Sequence, residues 1–90
     1  MARLINIGFG NVVNTDKVVA VVSPDAAPVK RLVQNAKNLG SLVDATQGRK
    51  TKAVIVTEGE KILLSGLQPE TIAKRFSVQY ELEGRGEENE

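Results

Sequence analysis

Apolar positions along the chain change their period several times, and each change marks an element. "RLINIG", residues 3–8, alternates apolar and polar side chains, as a strand with one buried face does. "KVVAVV", residues 17–22, is instead a continuous β-branched run, the pattern of a strand buried on both faces. The period then lengthens. Val29, Leu32, Val33, Ala36 and Leu39 recur at i, i+3, i+4 spacing and predict the apolar stripe of a helix within "SPDAAPVKRLVQNAKNLG". Lys30, Gln34, Lys37 and Asn38 fall largely on the other side. Both ends of this helix are marked: Ser23 or Asp25 can cap its start, prolines sit where a missing N–H costs little, and Gly40 closes it.

Beyond Gly40 the short period returns. "LVDAT" and "TKAVIVT" read as third and fourth strands separated by "QGRK", and Glu58-Gly59 make a tight turn into a fifth, "KILLS". "QPETIAKRF" reads as a short second helix, with Pro69 near its first position and Glu70 in a first turn whose dipole favours an anion. No internal repeat or linker interrupts residues 1–80. The expected fold is therefore one α+β domain, a small mostly antiparallel sheet of about five strands with two helices. Strands 17–22 and 53–56 are apolar on both faces, and two helices are few to cover such a sheet. The remaining apolar surface is expected to be covered by a neighbouring subunit, which predicts self-association.

Composition narrows the chemistry. Of 90 residues, 41% are hydrophobic and 26% charged, as in a globular soluble domain, and no apolar run is long enough to span a bilayer. The opening "MARLINIGFG" lacks the apolar region of a secretory leader. The chain has no cysteine and no histidine, so disulfides and thiolate or imidazole metal sites are excluded, and a cytoplasmic location is expected. The same absence removes the commonest general base and the strongest nucleophile. Asp16, Asp25, Asp44, Glu58, Glu60 and Glu70 are scattered singly, without the spacing of an acid/base couple. Asp44 is the one carboxylate in an otherwise apolar strand, where it is either a buried acid or a solvent-facing or paired group. The expectation is a protein that is not an enzyme and needs no cofactor or small-molecule ligand.

The net charge of +1 conceals an asymmetry. Residues 1–80 carry eleven Lys or Arg against six Asp or Glu, whereas residues 81–90 carry Arg85 against five glutamates. A basic body with an acidic tail, the tail expected to be disordered, is compatible with a polyanionic partner.

Two motifs invite a binding role. "INIGFGNVV" places glycines either side of Phe9, but Val13 stands where a dinucleotide fingerprint needs its third glycine, and strand-like sequence follows where a helix should open. No Gly-Lys-Ser/Thr occurs either. Gly8 and Gly10 are therefore expected to bend the backbone, with Phe9 in the core or as an intersubunit anchor. "TQGRKTK", residues 46–52, is sharper: Arg49, Lys50 and Lys52 are expected at the tip and shoulder of a β-hairpin around Gly48. Clustered cations repel one another, so the arrangement makes sense when a polyanion supplies the opposite charge. Arg49 can fork onto phosphate or guanine, while Lys acts as a point charge. Lys17 joins them if its strand pairs so as to bring it near. The aromatics Phe9, Phe76 and Tyr80 do not interleave with this cluster, which favours duplex backbone contacts over base stacking.

"INIGFGNVV", "VSPDAAPVKRLVQNA", "LVDATQGRKTKAVIV" and "LSGLQPETIAKRFSV" together resemble the extracellular matrix regulator RemA family over nearly the whole chain outside the acidic tail. The resemblance implies a small bacterial DNA-binding transcription regulator with a β-rich fold similar to LytTR-type domains. It implies activation of biofilm matrix genes and assembly into rings that present repeated basic surfaces to double-stranded DNA. It carries the DNA-contacting role onto Lys17, Arg49 and Lys50. Lys17 and Lys50 stand where relatives can have Arg, which keeps the charge and loses the bidentate fork. Pro28 matches a position associated with the family's function and is read here as structural, because it fixes the helix start. The resulting expectation is a homo-oligomeric regulator contacting duplex DNA through Lys17, Arg49, Lys50 and Lys52. Its rivals are a scaffolding oligomer and an RNA-binding protein.

Overall fold

Two sheets, not one, carry the strands. The computed structural model describes residues 3–77, and the acidic tail expected over 81–90 lies outside them. The first sheet is a hairpin of β1 (Leu4–Asn6) and β2 (Val12–Asn14), antiparallel with Ile5 opposite Val13. A single 3-10 turn, Thr15–Lys17, follows β2; the Asn14 side chain accepts from the Asp16 amide and starts it. Then come β3 (Val18–Val22), helix α1 (Ala27–Leu39), β4 (Leu42–Asp44), β5 (Ala53–Thr57), β6 (Ile62–Ser65) and helix α2 over residues 69–77. The second sheet has the order β3-β5-β6-β4, antiparallel except for the β4–β6 pair, which is parallel. The fold is α+β with two helices and a mostly antiparallel arrangement, but with six short strands in place of about five. The extra strand is β2, the return strand of the hairpin, set off from β3 by the polar Asn14-Thr15-Asp16-Lys17 turn.

Alternation along β5 and β6 sorts the core into two layers. Val54, Val56, Ile62 and Leu64 face α1, whose Val29, Leu32, Val33 and Ala36 cover them together with Val22 and Leu42. Ala53, Ile55 and Leu63 face the other way, onto Ile5, Ile7 and Val13 of the hairpin and Ile72 and Phe76 of α2. The apolar double-sidedness of β5 is thus satisfied within one chain. For β5 the small hairpin does the covering that two helices were too few to do, whereas on β3 Val19 is left 63% exposed, so apolar surface of the kind expected to meet a second subunit remains on that strand.

The two ends of α1 are made differently. Gly40 closes the helix in the left-handed region (φ 77), and the Ser41 amide reaches back to the Ala36 carbonyl at 2.9 Å. The start differs from expectation. Ala26 is the cap and supplies no side-chain bond, whereas the Ser23 hydroxyl accepts from the Asp25 amide in the preceding turn, so neither residue caps the helix. Pro28 lies within the first turn.

Candidate nucleic-acid interface

The segment linking β4 to β5 is not a hairpin. β4 lies at the edge, beside β6, and β5 lies on β6's other side, so residues 45–52 must cross over the end of β6. Hydrogen bonds fix both shoulders of the crossing: the Ala45 amide donates to the Leu64 carbonyl and the Lys52 amide to the Ser65 carbonyl, each at 2.9 Å. At its crest Gln47 and Gly48 have φ of 55 and 82, and the Arg49 amide closes the turn on the Thr46 carbonyl. Those two positive φ values are the signature of a type I′ turn, which the glycine makes accessible. Below the crest, Asp44 holds buried Thr46 through the Thr46 amide and hydroxyl, at 2.9 and 2.6 Å. These bonds lower the Asp44 carboxyl below its ordinary 3.8. Asp44 itself is exposed, so the reading of it as a buried acid does not hold; it is a turn-holding group.

The expected hairpin tip is therefore the crest of a crossover, and its cations are well displayed. Arg49, Lys50 and Lys52 are exposed, and none forms an ion pair among the described residues. Lys50 and Lys52 also border a hollow of about 260 Å³ shared with Ser23, Asp25, Gln68 and Glu70, at the entries to the two helices. A side chain at Gly66 would meet the Arg49 Cβ and the Lys50 carbonyl, each 3.7 Å from the place of its Cβ, so the glycine leaves room beneath the crossover.

Lys17 does not join this group. Val18 pairs with Thr57 and Val22 with Val54, so β3 carries Lys17 to the far end of β5. Five strand steps separate Thr57 from Lys52, about 17 Å at roughly 3.4 Å per residue. There Lys17 meets Glu58 at 3.7 Å, both side chains largely in solvent, and the Glu58 amide donates to the Lys17 carbonyl. The antiparallel register is the physical reason that a pairing expected to bring Lys17 to the basic turn takes it away.

What sequence reading missed is the partner of Arg49. The guanidinium lies over the ring of Phe9, 5.2 Å from its centroid. Phe9 is neither a core residue nor hidden, being 52% exposed at the tip of the hairpin. Gly8, Phe9 and Gly10 all have positive φ (119, 53 and 78), so "GFG" is a bend, with no helix behind it to receive a phosphate. The signal in the sequence was an aromatic flanked by glycines; the distance along the chain from Phe9 to Arg49 concealed the contact.

Among the described residues no group of acidic side chains could hold a metal ion, and no helix is long and apolar enough to cross a membrane.

Relatives place this geometry in a known group. A protein from Lachnoclostridium phytofermentans, provisionally named a regulatory protein, is 61% identical over 83 residues, covering 92% of this chain and 91% of its own. A chain of Thermoanaerobacter sp. (strain X514) with the same kind of provisional name is 54% identical over 89 residues, 98% of this chain and 93% of that one. Extracellular matrix regulatory protein A of Bacillus subtilis (strain 168) is 50% identical over 86 residues, 93% of this chain and 97% of its own. The family description "Extracellular matrix regulatory protein A-like" matches residues 4–76, from the first residue of β1 into α2, and so takes in both sheets, both helices and the whole crossover. The chain belongs to the RemA-like family.

Proposed function

We propose that the protein is a bacterial transcription regulator that binds double-stranded DNA through the crest of the β4–β5 crossover. The observation that carries this reading is the concentration of Arg49, Lys50 and Lys52 on a turn with fixed geometry and no carboxylate partner among the described residues. Mutual repulsion among three such cations is relieved when phosphates approach. Arg49 supplies the planar fork, and the lysines supply point charges to neighbouring phosphates. Lys17 serves as a second contact set apart from the crest, so one subunit touches the duplex at two places along its sheet. The names of the relatives support a regulatory role, and matrix genes are the corresponding class of target.

Affinity follows from repetition. Three phosphate contacts give a salt slope of about −3, which is weak at physiological ionic strength. A homo-oligomer, a ring in this reading, that presents the same crest several times multiplies those contacts along one duplex. Exposed Leu4 and Val12 on the outer face of the hairpin, and Val19 and Val43 on the outer strands of the second sheet, are apolar surface available for that association.

The test is titration of a duplex at two salt concentrations, with light scattering for the oligomer. The expected result is affinity that falls steeply with salt, and Arg49→Ala that loses at least tenfold in affinity, the scale of about 1.4 kcal/mol, with the oligomer unchanged. Binding indifferent to salt, or absent, assigns the protein to scaffolding. Preference for folded RNA over duplex in competition assigns it to RNA. Loss of the oligomer in Arg49→Ala moves Arg49 to the subunit interface.

A further inference from the structure

Phe9 is held in a costly backbone conformation without full burial of its ring to offset it. Its φ of 53 is unusual for a bulky side chain, its ring is 52% exposed, and it is apolar. Nothing in the core needs it. Yet the turn that carries it is firmly made: the Gly8 amide donates to the Asn6 side chain at 2.6 Å, and the Asn11 side-chain amide donates to the Gly8 carbonyl at 2.9 Å. Beneath it the buried Ser65 hydroxyl donates to the Ile7 carbonyl at 2.7 Å and ties the hairpin to the end of β6 over which the crossover runs. Arg49 is fixed from its own side by the crest turn, in which its amide donates to the Thr46 carbonyl at 3.0 Å. Two independently braced turns therefore bring one ring and one guanidinium together, with a hollow of about 120 Å³ bounded by Gly8, Gly66 and Leu67 beside them.

We infer that Phe9 is a positioning residue for the duplex contact: its ring is the plate on which the Arg49 guanidinium lies. A guanidinium held over an aromatic face by the ring's charge distribution spends none of its N–H groups on a carboxylate, which leaves them for a phosphate or a base. Stacking also restricts a long side chain before it binds, so less freedom is lost on contact. The inference rests on the duplex-binding reading above and adds to it a residue from a different element.

The experiment has two arms. In the free protein, NMR of the Arg49 side chain reads the stack directly: the Cδ and Nε protons are expected upfield by ring-current shielding in wild type and Phe9→Tyr, and at ordinary positions in Phe9→Leu, which keeps apolar bulk without a ring. In duplex titrations Phe9→Leu is expected to bind about threefold to fivefold more weakly, from the loss of an exposed cation–π contact. Phe9→Tyr should bind as wild type, and Phe9→Leu should have no further effect once Arg49 is Ala. Unshifted Arg49 protons in wild type, undiminished binding by Phe9→Leu, or losses that add fully in the double variant each overturn the inference. So does a changed oligomeric state in Phe9→Leu, which returns the ring to a subunit interface. If Arg49→Ala loses binding while Phe9→Leu keeps it, only the role of Phe9 falls; if Arg49→Ala binds as wild type, the duplex reading falls with it.

Discussion

Asp44 shows what a single carboxylate does here. It sits at the end of β4 and accepts two bonds from Thr46, so the charged form is favoured and its pKa lies below the ordinary 3.8. A depressed folded-state pKa gives stabilisation that is complete above the unfolded value and lost as pH falls through the folded one. Asp44→Ala should lower the melting temperature by a few degrees at neutral pH. The gap to wild type should narrow as the pH falls from above 3.8 through the lower folded-state value, where wild type loses the charge that the variant never has; thermal melts across that range check it. An unchanged gap would mean that the side chain acts through shape rather than charge. Sequence alone offered Asp44 as a buried acid or a solvent-facing or paired group, and the choice lay two residues away. Thr46 is the partner, a short-range relation that an Asp-x-Thr at a strand end makes readable once the strand is known to stop there.

At the scale of elements, local signals were read correctly where the partner lay within a few residues. Gly40 closed α1, and Glu58-Gly59 joined β5 to β6, because both depend on backbone conformations that neighbouring residues set. The start of α1 misled because Ser23 and Asp25 are both good caps in isolation, yet Pro24 and the turn they share use up the Ser23 oxygen before the helix begins. The cap at Ala26 is consequently left without a side-chain bond. Ala26→Asp should therefore add a cap and a favourable charge at the dipole's positive end, raising stability by about 1 kcal/mol in denaturant titration. No gain would show that the amides of the first turn already have partners. The basic crossover was legible as a turn from "QGRK", but its strand neighbours were not. A hairpin is the default between adjacent strands, and only the parallel pairing of β4 with β6 turns the link into a crossing.

For the whole molecule, the central fact is that neighbouring residues of one strand serve opposite layers. Val54 is buried against α1, and Ile55 against the hairpin and α2. Ile55→Ala should cost about 2–5 kcal/mol, a large part of the margin of a domain this small, and should loosen the hairpin that carries Phe9. Calorimetry reads the first effect and amide exchange in residues 4–14 the second. Full protection of the hairpin in that variant would show that its own ladder suffices. The continuous β-branched run was the visible sign of this double layer; that a hairpin rather than another protomer supplies the second cover was invisible, because it depends on where a three-residue strand folds back.

The crossing of residues 45–52 over β6 also bears on the order in which the sheet is expected to assemble. β5 and β6 are joined by a short loop and can meet early, whereas β4 must wait for β6 to exist as an edge before it can lie alongside. Only then are both feet of the cationic segment anchored. An incompletely folded or proteolytically loosened chain would keep its lysines and arginine but hold them in no fixed arrangement. In the duplex contact proposed above, this gives recognition its own quality control, since the finished molecule alone would present the shape that the duplex meets.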